Sequence, residues 1–86
     1  MRIILIYDVG EERVNRVYKT CKEYLTHIQN SVFEGDITES NLKELKMRLN
    51  EKIKKEHDSV IIFYLWSASY KKEVLGLEKN SDDNII

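Results

Sequence analysis

The first strand constrains this chain more than any other stretch. Residues 1–10 read Met-Arg-Ile-Ile-Leu-Ile-Tyr-Asp-Val-Gly, with four consecutive apolar residues, three of them β-branched, ahead of Tyr7. Such a run predicts a strand buried on both faces, as the central strand of a sheet is. Asp8 falls where that strand ends. An unpaired carboxylate in an apolar setting is costly, so Asp8 requires an opposite charge, a set of amide donors, a cation or water.

The 86 residues make one small domain, and a chain of that length buries only roughly 60–65% of its unfolded surface, so a dimer would extend its core. A content of 42% hydrophobic and 34% charged residues is that of a globular chain and excludes disorder. Fourteen Lys and Arg against fifteen Asp and Glu exclude a general polycation, so any anion site has to come from local clustering. The one cysteine, Cys21, lacks an internal disulfide partner and lies on the apolar face of a predicted helix, as a small buried hydrophobe does in a reducing compartment. The N-terminal apolar run is too short for a signal peptide or a membrane span. A cytoplasmic protein is therefore expected.

After Gly10, Glu11 and Glu12 place negative charge in the first turn of a helix. Val14, Val17, Tyr18, Cys21, Leu25 and Ile28 recur at three- and four-residue spacing and form its apolar stripe, with Arg13, Arg16, Lys19 and Lys22 on the other sides. Those cations make either a solvated helix face or a phosphate-binding one. Residues 27–37 alternate as β structure with a break at Asn30-Ser31, as one bent strand or two short ones. Thr38 is a predicted N-cap for a second helix with Leu42, Leu45, Leu49 and Ile53 on its apolar face, ending near Lys54-Lys55. Val60–Trp66 predicts a second apolar strand, and with the first it should form the middle of the sheet. Ser67–Lys72 reads as a polar connection or a single helical turn, and Glu73–Leu77 as another short strand. The tail from residue 78 ends in Asn84-Ile85-Ile86, an apolar pair suited to a terminal strand docking on an edge of this chain or of a partner. The economical architecture is one α+β domain over residues 1–86, a sheet covered on one face by two helices.

Few residues offer chemistry. There is no HExxH, CxxC, Walker loop or nucleophile elbow, and His27 and His57 have no ligand spacing between them. Asp8 alone is a thin site. A two-fold axis near the end of the first strand would double it, and two close carboxylates would then share a divalent cation. The alternative is that Asp8 only accepts amide bonds at the start of the first helix.

Ile6-Tyr7-Asp8-Val9, the basic helix with Asn15-Arg16-Val17, and the segment from Ile28 to Ile37 containing Ser31-Val32-Phe33-Glu34-Gly35 together resemble the CRISPR-associated protein 2 family. The resemblance implies a ferredoxin-like βαββαβ sandwich with an extra C-terminal strand, an antiparallel sheet and two helices on one face. It further implies a homodimer that takes part in CRISPR spacer acquisition, binds spacer DNA or single-stranded RNA, and has Mg-dependent endonuclease activity. One Mg2+ per dimer would be bound by Asp8 of both chains. Tyr7 and Ser31 would join Asp8 as catalytic-site residues, Arg13, Arg16 and Lys19 would contact nucleic acid, and Phe33 would sit at the dimer interface. A non-catalytic adaptor bridging CRISPR integrase dimers is the competing function, and a ribonuclease of the virulence-associated protein D type is a third. No membrane partner is expected.

Overall fold

The computed structural model describes residues 1–79; the expected terminal strand at Asn84–Ile86 lies outside them. In chain order the elements are β1 (Arg2–Asp8), a 3-10 turn (Glu11–Arg13) running into α1 (Val14–Lys22), β2 (Thr26–Gln29), β3 (Val32–Asp36), α2 (Glu39–Lys52), β4 (Ser59–Leu65) and β5 (Tyr70–Gly76). The sheet order is β2-β3-β1-β4-β5, and every neighbouring pair is antiparallel. The apolar strand β1 occupies the centre, with the second apolar strand β4 beside it.

Local chemistry accounts for several boundaries. The Thr38 hydroxyl accepts the Asn41 amide proton at 3.1 Å and caps α2. This helix ends at Lys52, with Ile53 leaving helical geometry, earlier than the lysine pair Lys54-Lys55 suggested. The break at Asn30-Ser31 resolves into a two-residue turn between β2 and β3. Asn30 adopts φ 45°, a left-handed conformation that asparagine tolerates better than most residues. Ile28, which both apolar patterns had claimed, belongs to β2 and is exposed. At the other hairpin, Ser67–Ser69 is a tight connection closed by a 2.9 Å bond from the Trp66 amide to the Ser69 carbonyl. Tyr70–Lys72 already belong to β5, so a helical turn is excluded there. Gly76 has φ 81°, and a Cβ there would collide with the Asp58 carbonyl oxygen, which accepts the Leu77 amide at 2.8 Å. Only glycine meets both demands.

The core lies between the sheet and the two helices. Ile3, Leu5, Phe33, Val60 and Ile62 of the sheet meet Val17, Cys21, Leu45 and Leu49 of the helices, all without measurable exposure. Burial pushes the Cys21 thiol up to about 12, so the cysteine is an inert hydrophobe. Side chains alternate along a strand, and the opposite face of the sheet has no such cover. There Ile4 and Ile6 of β1 are only half-buried, in contrast to a strand enclosed on both sides. Ile4 stands across from Phe63, and Ile6 from Ile61 and Val32. Ile61 in turn faces Val74, and Leu65 faces Tyr70. These residues form a continuous apolar stripe that this chain leaves partly open to solvent.

Candidate functional site

Asp8 is the last residue of β1, paired with Ser59 of β4, and its side chain is 73% exposed. Alternation places it on the same open face as Ile4 and Ile6. The end of β1 borders a cavity of about 380 Å3, lined by Tyr7, Asp8, Val9, Val14, Asn30 and Ser31. Strand β1 delivers Tyr7 and Asp8, and the β2–β3 turn delivers Asn30 and Ser31. The Tyr7 amide donates to the Ser31 carbonyl at 3.1 Å, while a 2.8 Å contact of His27 Nε2 with the Asn30 carbonyl braces the turn. Tyr7 and Asp8, adjacent in β1, thus meet Ser31, more than twenty residues further along the chain, at one rim.

Their environments differ. The Tyr7 ring turns inward beside Phe33, with centroids 6.1 Å apart, and burial pushes its phenol above the ordinary value. It stays protonated at neutral pH and forms part of the cavity wall. Asp8 turns outward, where its carboxylate lies 3.4 Å from Lys79 Nζ, which also donates to the Asp8 carbonyl oxygen at 3.3 Å. Amide capping of α1 by Asp8 is not what the structure shows: the 3-10 turn that precedes α1 begins after Gly10 without a side-chain cap.

Two expected roles are corrected. Phe33 has no exposed surface and packs against Tyr18 and His27 with centroids 5.6 and 5.0 Å away. It is a core aromatic whose side chain has no surface to offer a second subunit. Arg13 is also buried. Its Nε and Nη2 donate to Asp58 at 2.6 and 2.9 Å, and its Nη1 donates to Glu12 at 3.3 Å, so the fork that would grip a phosphate is already occupied. Arg16 and Lys19, by contrast, are exposed one turn apart on α1 and form no ion pair among the described residues.

Sequence reasoning missed Asp58. It is fully buried and accepts, besides Arg13, the Gly10 amide at 2.9 Å and the Lys54 amide at 2.8 Å. The paired guanidinium, helped by these amides, holds its carboxyl far below the ordinary carboxylate range despite burial. No local signal marks it, because its partner lies 45 residues away. Lys79 was likewise unmarked, as one lysine in a polar tail.

The donor set was tested against Mg2+, a hard ion that takes one or two carboxylates and completes its octahedron with water. Among the described residues no three His, Cys, Asp or Glu side chains converge, and a single chain offers Asp8 alone. A second Asp8 from another copy would complete the carboxylate-and-water set that Mg2+ accepts.

A β2-β3-β1-β4 antiparallel sheet with both helices on one face, extended by β5 and carrying an aspartate at the end of its central strand, defines a small ferredoxin-like α+β protein. The family model for CRISPR associated protein Cas2 matches residues 1–73. The chain is 48% identical to CRISPR-associated endoribonuclease Cas2 3 of Thermodesulfovibrio yellowstonii, over 98% of this chain and 97% of that one. It is 46% identical to CRISPR-associated endoribonuclease Cas2 of Thermococcus kodakarensis over the full length of both. A solved structure described as a crystal structure of cas2 superposes with a TM-score of 0.72 and 46% identity, covering 94% of this chain and 92% of that one. The chain belongs to the Cas2 family of CRISPR-associated proteins. This match sets aside the virulence-associated protein D type.

Proposed function

We propose that two copies of this chain pack through their open sheet faces into a homodimer that binds nucleic acid in CRISPR adaptive immunity, and that the two Asp8 residues form its phosphodiester-cleaving site. The observation that carries this reading is the uncovered stripe of Ile4, Ile6, Val32, Ile61, Phe63, Leu65 and Val74 with Asp8 at its end. A contiguous apolar patch of this kind is an interface waiting for cover. A small domain gains most from such cover, and an isologous contact brings the same residue in from both sides.

The relatives' names support an endoribonuclease activity. In the dimer, both Asp8 carboxylates would hold one Mg2+, which when bound supplies water activation and charge neutralisation at phosphorus. Ser31 offers its hydroxyl to a phosphate oxygen at the cavity rim. Tyr7, protonated and held by Phe33, keeps the wall in place. Lys79, 3.4 Å from the Asp8 carboxylate in the single chain, would have to give up that position for Asp8 to hold a cation.

Phe63→Glu tests the interface. It places a charge in the middle of the stripe, and the variant is expected to sediment as a folded monomer with an unchanged circular dichroism spectrum and no cleavage. A Phe63→Glu protein that remains dimeric would overturn the arrangement.

The exposed pair Arg16 and Lys19 favours the second reading, an adaptor that holds spacer DNA between copies of the CRISPR integrase. Each phosphate contact contributes close to one unit to the slope of log K against log salt. Replacing both residues by alanine is expected to flatten that slope by about two per protomer and to weaken duplex binding measured by fluorescence anisotropy. An unchanged slope would remove α1 from the DNA-binding surface.

A further inference from the structure

A second cavity, of about 500 Å3, opens at the other end of the sheet, where β1 begins and α2 passes over β4 and β5. Its volume lies within the range of small-molecule sites. Its charges are unbalanced: Lys43, Lys46, Lys71 and the Met1 residue line it against Glu39 and Glu73. Glu73 is already spoken for. Both of its oxygens lie 3.1 Å from Lys46 Nζ, and the Tyr64 hydroxyl donates to one of them. Lys43 and Lys71 form no close ion pair among the described residues, although Lys71 still acts on the Glu73 carboxylate at longer range. The Lys71 ammonium instead lies 5.6 Å above the Tyr64 ring, and the Met1 ammonium spends one donor on the Ile37 carbonyl at 3.0 Å. Three cations with donors to spare therefore border one cavity, with Glu39 as the remaining carboxylate on its wall, and such a surplus of ammonium donors is the chemistry of a phosphate site.

An aromatic platform reaches the cavity through Tyr64, which lines it. Trp66 stacks on Tyr64 with an interplanar angle of 16° and centroids 6.5 Å apart, yet 54% of it is exposed. A large indole held flat at the surface is a surface for a nucleobase, and base–aromatic stacking is indifferent to base identity. We propose that this cavity binds a 5′-nucleoside monophosphate group, its phosphate between Lys43, Lys71 and the Met1 ammonium and its base on Trp66. The group can belong to a free nucleotide or to the 5′ end of a strand. None of these residues is shared with the Asp8 site, so the proposal stands or falls independently of cleavage.

Trp66 is the single tryptophan of the chain and reports on the site directly. Titration of the full-length protein with 5′-AMP is expected to quench its fluorescence saturably, and adenosine to bind at least tenfold more weakly. The double variant Lys43→Glu, Lys71→Glu alters two exposed side chains. It should keep the native circular dichroism spectrum and lose at least tenfold in affinity for 5′-AMP. A 5′-phosphorylated dinucleotide that binds as tightly as 5′-AMP or tighter assigns the strand end; weaker binding assigns the free nucleotide. Absence of saturable quenching, equal affinity for adenosine, or a double variant that binds like the parent would each overturn the proposal.

Discussion

Asp8→Asn is expected to lower Mg-dependent cleavage by more than about a hundredfold, beyond the 10- to 100-fold that loss of a residue behind the ligands typically costs, while leaving the dimer and the fold intact. The change keeps the size of the side chain and removes the charge from both halves of the site at once, because one substitution acts twice in a symmetric pair. Asp8 is exposed at the end of β1 and takes part in no core contact, so stability should move by no more than about 0.5 kcal/mol. Its only ion-pair partner among the described residues is Lys79, at 3.4 Å, and an exposed pair of that kind contributes little. Isothermal titration with Mg2+ checks the same claim without chemistry: the parent dimer should bind one ion and the variant none. If cleavage persists in a purified Asp8→Asn dimer, the catalytic reading fails. If spacer acquisition in cells persists while cleavage is lost, the protein works there as an adaptor.

The second large effect is on stability. Asp58→Asn should destabilise the protein by about 3–5 kcal/mol, because it leaves the buried Arg13 guanidinium without its counter-charge. For a domain of this size that is a fall in melting temperature of roughly 15–30 °C. The carboxylate ties together the connection after β1 (Gly10), the 3-10 turn leading into α1 (Arg13), the segment after α2 (Lys54) and the entry to β4, so its loss loosens four connections together. The pH dependence follows from the same geometry. The folded-state value is depressed well below the ordinary 3.8, so Asp58 contributes stability above pH 4 that is lost as the pH falls through and below that value. The parent protein should therefore lose stability between pH 5 and pH 2, read as the urea midpoint, and Asp58→Asn should lose less over the same interval. Replacing both partners, as in Arg13→Met with Asp58→Leu, should recover most of the deficit, since a well-packed apolar pair substitutes for a buried ion pair at little cost. A double variant as unstable as Asp58→Asn would show that the amide contacts rather than the charge dominate.

Much of this architecture was legible in the sequence because its signals are local. The β-branched runs of β1 and β4 announce strands whatever surrounds them, Thr38 caps α2 with an amide three residues away, and the three- and four-residue spacing of Leu42, Leu45 and Leu49 faces one side. Asn30-Ser31 marked a turn by composition, and its left-handed backbone confirms why those residue types stand there. The family resemblance rested on such contiguous segments. Asp8 was legible for the same reason, as a carboxylate breaking an apolar run.

What only the tertiary structure decided concerns pairs that share no stretch of chain. Arg13 reads as one more cation on a basic helix, and nothing near it reveals that Asp58, 45 residues on, removes it from the surface. Phe33 sits in the segment that most strongly marks the family, yet a motif does not say which face of a strand an aromatic occupies, and register puts this one in the core. The hairpin at Ser67–Ser69 was ambiguous because short polar segments fit several turns, and the β4–β5 register selects one. The apolar run of β1 predicts cover on both faces, and this chain covers only one of them. Sequence pattern records that demand but not who meets it, and the fold shows that this chain's two helices supply one face only and that the other, with Asp8 at its end, stays half-buried.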